Sequence, residues 1–298
     1  MWVLYAFLGA ICTALTGVLA KIGIRDVKSN FATFYRTAVV ILCSLFVCLI
    51  SGNLASFSAI TPKNYLFLVL SGLSTGCSWL CYYRALSLGD VSKVTPIDKS
   101  SFILTSLLFL IFFFDDTTKG GDPLTIAMLS LAMALMLLGT LLMLPKKQGE
   151  AVKVKRRWLL YAVLSAVFAS LVSLFVKLGL SGIPSDVGTL LRTVVVFFFA
   201  GGIVLARGEY RGALSVGRRS YLFLTLSGMA TGGAWLFEYT ALNTVGVNPV
   251  AVNSFGKLSI LLTMLFSLFV LKEKFSKRSL VGLAVLTAGI ALTIAFSL

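Results

Sequence analysis

The chain says nearly the same thing twice. Residues 65–87 read YLFLVLSGLSTGCSWLCYYRALS and residues 221–243 read YLFLTLSGMATGGAWLFEYTALN, an offset of 156 in a chain of 298. Both copies are too apolar for an aqueous surface. A duplicated block of apolar helices is what a transporter built from two structural repeats leaves in its sequence. The repeat runs beyond this block. KIG at 21–23 answers KLG at 177–179, and Arg36-Thr37 answers Arg192-Thr193. Further on the offset grows to 158, and DKSSFILT at 98–105 answers GKLSILLT at 256–263. The slip of two falls in the connections at 89–94 and 243–248, where insertions are tolerated.

Composition settles the class. Hydrophobic residues are 58% of the chain and charged ones 12%, against about 25% charged in a soluble domain. Ten apolar runs approach the roughly 20 residues a helix needs to cross a hydrocarbon core of about 30 Å. They are 2–24, 31–51, 64–88, 95–114, 124–144, 158–180, 187–206, 220–243, 249–271 and 278–297. The first run has no basic segment before it and ends at Lys21, so it reads as a retained helix rather than a cleaved signal peptide. The expected fold is an all-α integral membrane protein of ten transmembrane helices. Residues 1–144 form a first five-helix repeat, 145–157 (PKKQGEAVKVKRR) a basic cytoplasmic linker, and 158–298 a second five-helix repeat. Five crossings is an odd number, so the halves enter the membrane in opposite senses, as two inverted repeats.

The net charge of +15 suggests nucleic acid until its distribution is read. Alternate connections fall on alternate sides of ten crossings. One side then holds 17 Lys and Arg, including Arg25, Lys28, Lys93, the linker cluster, Arg207, Arg211, Arg218, Arg219 and Lys272–Arg278, and the other only Lys63 and Lys119. The positive-inside rule makes the first side cytoplasmic and puts both termini outside. The expected location is the plasma (cytoplasmic) membrane of a prokaryote. The lipid bilayer and a small-molecule substrate are the expected partners, with protons a candidate and nucleic acid none. The expected assembly is a monomer or weak homodimer.

Enzyme chemistry finds no support. There is no histidine, and the five cysteines form no CxxC pair and lie inside apolar runs as small hydrophobes. GLSTG at 72–76 has the spacing of a nucleophile elbow but neither the strand-to-helix turn nor the His partner, and its repeat counterpart replaces the serine with Ala230. Gly72 and Gly76, like Gly228 and Gly232, are better read as close helix packing in lipid. No cofactor or metal is called for.

The charges inside the apolar runs carry the function. They are Lys21, Arg36, Arg84, Lys99, Lys177, Arg192 and Lys257, with Asp98 and Glu238 as the acids. An ion at a helix centre in lipid costs at least about 2.5–3.5 kcal/mol. Lys21 and Lys177 lie near run ends, where long side chains snorkel to headgroups. Lys99 and Lys257 are repeat equivalents, as are Arg36 and Arg192, and the two lysines have polar neighbours: Asp98, Ser100 and Ser101 in one copy, Asn253, Ser254 and Ser259 in the other. A membrane interior with seven cations and two acids is prepared for an anion. Glu238 has two readings, an ion-pair partner for Lys257 or Arg192 or a proton-coupling group; Asp98 is the other coupling candidate. Trp79, Tyr82 and Tyr83, and likewise Trp235 and Tyr239, recur at helical spacing on one face, as a packing surface or a cavity wall.

With these residues in place the chain resembles the EamA-type branch of the drug/metabolite transporter superfamily. The matching stretches are KIG at 21–23, NFATFYRT at 30–37, WLCYYRALSLG at 79–89 and KVTPIDKS at 93–100, then KLG at 177–179, LLRT at 190–193, WLFEYTAL at 235–242 and the tail at 268–292. The resemblance implies a ten-helix basket. Helices 1–4 and 6–9 would line a cavity, with 5 and 10 packed at the side. It implies movement of small metabolites, amino acids or toxic compounds, usually outward and often proton-coupled. Small multidrug exporters carry a glutamate in their first helix, whereas 2–24 here contains no acid.

The expectation is therefore a transporter of small organic metabolites, an exporter working by alternating access, with a substrate bearing an anionic group such as a carboxylate. Lys99 and Lys257 would attract that group, and Arg36, Arg192 and Arg84 would support them. Trp79, Tyr83, Trp235 and Tyr239 would shape the cavity. The rivals are a proton-coupled exporter of cationic or drug-like compounds using Glu238, and a membrane scaffold or sensor that moves nothing.

Overall fold

The computed structural model describes residues 1–24, 27–88, 94, 97–98, 100–118, 120–143, 157–211, 216–270 and 276–297. Among these residues every regular element is helical. In chain order they are α1 (Trp2–Gly23), α2 (Ser29–Ile50), a 3₁₀ turn (Asn53–Ala59), α3 (Pro62–Leu88), α4 (Ser101–Phe112), α5 (Phe114–Thr118), α6 (Pro123–Met143), α7 (Arg157–Gly179), α8 (Ser185–Ala206), α9 (Arg218–Asn243), α10 (Pro249–Gly256), α11 (Leu258–Val270) and α12 (Lys277–Ser297). Three helices begin on proline, whose fixed φ suits a first turn and whose missing N–H has no intrahelical partner there anyway. All three also carry a side-chain cap. Thr61 Oγ1 accepts from Asn64 N at 3.3 Å before α3. Asp122 accepts from Thr125 N at 2.8 Å before α6, and Asn248 accepts from Val250 N and Ala251 N at 3.0 and 3.3 Å before α10.

Seven described helices are long and apolar enough to cross a membrane: stretches of α1, α2, α3, α6, α7, α8 and α12. Their outward residues agree with a lipid surround. Ile50, Phe198 and Leu205 are 68–71% exposed, a surface that would be an aggregation hazard in water.

Two apolar runs are not the continuous helices expected from sequence. The run 95–114 contains α4, which ends where Phe113 leaves the helical region at φ −132°, ψ 49°. One further turn, α5, follows, with Asp115 and Asp116 in its first turn, where a helix dipole favours acids. The run 249–271 is interrupted at Lys257, which closes a turn back to Ser254 O at 3.0 Å between α10 and α11.

The chain divides into two compact units, each drawing on both halves of the sequence. The first comprises Met1–Leu73, Phe175–Val245 and Leu258–Glu273; the second comprises Ser74–Leu174, Gly246–Lys257 and Lys274–Leu298.

In the first unit α2 and α8 pack antiparallel. Asn30, at the start of α2, donates to Glu209 Oε1 at 2.8 Å just past the end of α8. Asn53, just past the end of α2, donates to Asp186 Oδ2 and Oδ1 at 2.9 and 3.1 Å at the start of α8. These two latches are repeat counterparts with roles exchanged, since Asn30 and Asp186 share one repeat position and Glu209 and Asn53 the other. The same exchange governs the close helix contacts. A Cβ on Gly72 would meet Val195 Cβ at 2.7 Å and Arg192 O at 3.1 Å; a Cβ on Gly228 would meet Val39 Cβ at 2.7 Å and Arg36 O at 3.1 Å. Gly23 lies against Leu224 as Gly179 lies against Leu68. Each contact i–j has a partner i+156 to j−156, the signature of a local two-fold relation. Helix α1 packs along α9, with Tyr5 and Phe237 stacked at 6.4 Å and Ser227 Oγ donating to Thr16 O at 2.9 Å.

In the second unit α6 and α12 meet along a seam of small residues. A Cβ on Gly139 would fall 2.5 Å from Leu286 N and 2.6 Å from Gly282 O, so these backbones touch with nothing between them. Helix α10 is tied to α4 by Asn253 Nδ2, which donates to Phe102 O at 3.2 Å and Ser106 Oγ at 3.1 Å. It is tied to α5 by Asn248 Nδ2, which donates to Thr117 O at 2.9 Å.

Candidate functional site

In the first unit, one stripe of α9 collects several of the candidate residues. Thr231, Trp235 and Tyr239 stand four residues apart and so share a face. Arg36, from α2, donates through Nη2 to Thr231 Oγ1 at 2.8 Å. Arg192, from α8, lies over Trp235 with its guanidinium carbon 4.6 Å from the ring centroid and over Tyr239 at 5.3 Å, and its Nε donates to Ser71 Oγ at 3.2 Å. Arg192 is only 1% exposed and Tyr239 4%. A guanidinium tolerates such burial because it is weakly hydrated, stacks on aromatic faces and has five donors to satisfy. The cation–π contacts of a desolvated arginine contribute about 0.5–2 kcal/mol. Thr231 also faces Thr16 Oγ1 at 3.3 Å, and Tyr35 meets Thr225 Oγ1 at 2.9 Å. Glu238 is half-buried on α9, and its backbone N faces Gly9. Lys177 donates to Leu242 O.

Beside this stripe the first unit holds a cavity of about 870 Å³. Tyr5, Phe46, Val47, Met229, Leu236 and Phe237 supply its apolar wall, and Asn53, Ser185, Asp186, Thr240 and Asn243 converge at its polar end. Sequence reading missed Asp186, whose run was placed at 187–206. The helix in fact starts at Ser185. The signal was present in Pro184-Ser185-Asp186, a helix-start pattern of proline, hydroxyl and acid.

The second unit places a different set. Lys257 sits at the break between α10 and α11, half-buried, its Nζ 5.4 Å from the Phe102 ring centroid. Asp98 accepts from Ser165 Oγ at 2.8 Å, and Ser165 also donates to Ser78 O at 3.1 Å. Tyr82 packs against the cluster Ala85, Val94 and Ala162. Trp79 is half-buried, whereas Arg84 is exposed. Lys99 and the side chains of Lys21 and Tyr83 lie outside the described residues. Cys48 is fully buried, but Cys12, Cys43, Cys77 and Cys81 are only half-buried, so the cysteines line helix surfaces as well as filling core.

Of the residues singled out from sequence, the structure thus brings Arg36, Arg192, Trp235 and Tyr239 onto one helix face. The hydroxyls that meet the arginines, Thr231 and Ser71, had not been singled out; both are repeat-related small polar positions inside apolar runs, which is the signal that could have found them.

The apolar helices and the charges held inside them define a multi-pass membrane protein. A model of the EamA-like transporter family matches residues 1–119 and 156–295, and the chain belongs to that family of membrane transporters. A curated protein of Sinorhizobium sp, described as an uncharacterized transporter in the cobO 3' region, is 41% identical over 111 residues, which is 37% of this chain and 79% of that relative. A protein of known crystal structure shares the fold with a TM-score of 0.72, covering 99% of this chain and 97% of its own, at 14% identity.

Proposed function

We propose that this chain carries small organic solutes bearing an anionic group across a prokaryotic plasma membrane, outward, by alternating access. The observation that carries the anionic reading is the convergence of Arg36 and Arg192 on the Thr231–Trp235–Tyr239 stripe. Their contact points are four residues apart on α9, about 6 Å along its axis. That spacing suits a carboxylate held by charge and an organic body held by aromatic faces.

The architecture we propose is ten crossings in two inverted five-helix repeats, 1–144 and 158–298, joined by a cytoplasmic linker at 145–157. Seven crossings are the apolar helices above. Helix α9, with 26 residues, is about 39 Å long and exceeds a hydrocarbon core of about 30 Å. The runs holding α4 and α10–α11 complete the count as interrupted crossings, a form that transporters use where backbone lines a cavity. The antiparallel packing of α2 on α8 supports the inversion, because these helices occupy equivalent places in the two repeats.

The test is transport in liposomes. Purified protein should exchange organic carboxylates, and Arg192→Ala should lower that exchange by an order of magnitude or more without loss of folded protein. Replacing Glu238 with Gln separates the rival reading, since an anion carrier keeps most of its rate and an exporter of cations coupled through Glu238 stops.

A further inference from the structure

Among the described residues that line the cavity of the first unit, one is charged, and it is an acid. Asp186 is 7% exposed. Among the described residues its donors are neutral: the Asn53 amide to both oxygens, Val187 N to Oδ1 at 3.0 Å, and the Cys48 thiol within hydrogen-bonding reach. It stands in the first turn of α8, a helix of 22 residues. Among the described residues, the lining holds this carboxylate and no Lys or Arg.

The repeat supplies an internal comparison. At the other end of the α2–α8 pair the same amide–carboxylate latch is made by Asn30 and Glu209, and Glu209 has Arg207 and Arg211 as chain neighbours. Asp186 has no basic residue within five positions.

We infer that this cavity is a binding site for an organic ammonium ion, with Asp186 as its counter-ion. The cation would meet Asp186 and the hydroxyl and amide groups of Ser185, Thr240 and Asn243. Its apolar body would lie against Phe46, Met229 and the stacked Tyr5–Phe237 pair, rings that also attract a cation by their faces. The volume of about 870 Å³ suits a ligand of drug size. This site goes beyond the arginine stripe and does not depend on it. The same ammonium chemistry is offered by a free amine and by a phosphatidylethanolamine headgroup.

The experiment measures binding of 4-phenylbutylamine and of its neutral analogue 4-phenylbutanol to the full chain in nanodiscs of phosphatidylglycerol. The amine should bind at least ten-fold more tightly than the alcohol, and Asp186→Asn should abolish the preference. Equal binding of the two by the wild type, or a preference that survives Asp186→Asn, overturns the assignment. Should Asp186→Asn fail to fold, Met229→Arg places a fixed cation on the same wall from a position 52% exposed and must also erase the preference. A preference that survives Met229→Arg overturns the assignment as well. Adding phosphatidylethanolamine to the nanodiscs separates the sources. Weakened amine binding assigns the site to the lipid headgroup, and unchanged binding assigns it to a free amine. A chain that moves no solute would end the carrier reading and leave this result standing; equal binding of amine and alcohol would end this inference and leave the carrier reading standing.

Discussion

Arg192 uses both properties that separate arginine from lysine, a planar face and several directed donors. Its face lies on Trp235 and Tyr239 while Nε reaches Ser71. Arg192→Lys keeps the charge but loses the stacking and the directed bond, and we expect it to lower stability by about 1–3 kcal/mol. Thermal unfolding in detergent reads that loss, and liposome exchange should fall with it. Thr231→Ala removes the hydroxyl that receives Arg36 and should cost less, about 1–2 kcal/mol in the same assay, because Arg36 is only half-buried. At this scale the buried cations were legible in the sequence, because an ion inside an apolar run is costly and duplicated ions are costlier still. Their partners were not. Which hydroxyl meets which guanidinium depends on the rotation of three helices about their axes, and a helical run with polar groups on several faces does not fix that rotation.

Helix contacts make sharper predictions because the glycines differ so much in what surrounds them. Gly72→Ala and Gly228→Ala each drive a Cβ to within 2.7 Å of a valine Cβ, and overpacking of this kind costs about 1–3 kcal/mol. Gly17 and Gly202 face open space within 4 Å, and alanine at either should leave stability unchanged or raise it by up to about 1 kcal/mol through helix propensity. Unfolding midpoints of the four variants check the contrast. Gly139→Ala should be worse than any of them, because the clash there is with the backbone of α12, which cannot rotate away. The glycines of α3 and α9 were legible as close-packing residues from their spacing. The interruptions at Phe113 and Lys257 were not, since neither run contains a proline at the break. The start of α8 at Ser185 was missed because an apolar-run criterion trims polar residues from a helix end, and that is where Asp186 sits.

Across the whole molecule the repeat is the most informative signal. It anticipated the helical class. It did not anticipate that each compact unit would draw on both halves, because sequence similarity reports which segments are alike and not which ones touch. Basic-residue asymmetry predicts the sidedness. In a background without native cysteines, a cysteine appended at either terminus should react with an impermeant maleimide on intact cells, and a cysteine at Gly149 should react only after the membrane is opened. The central claim is that the molecule moves solutes through itself. Counterflow in liposomes loaded with a panel of organic carboxylates tests it most directly. The account predicts uptake of labelled solute into protein-containing vesicles above empty ones, lost with Arg192→Ala; no counterflow of any carboxylate by folded wild-type protein would contradict it.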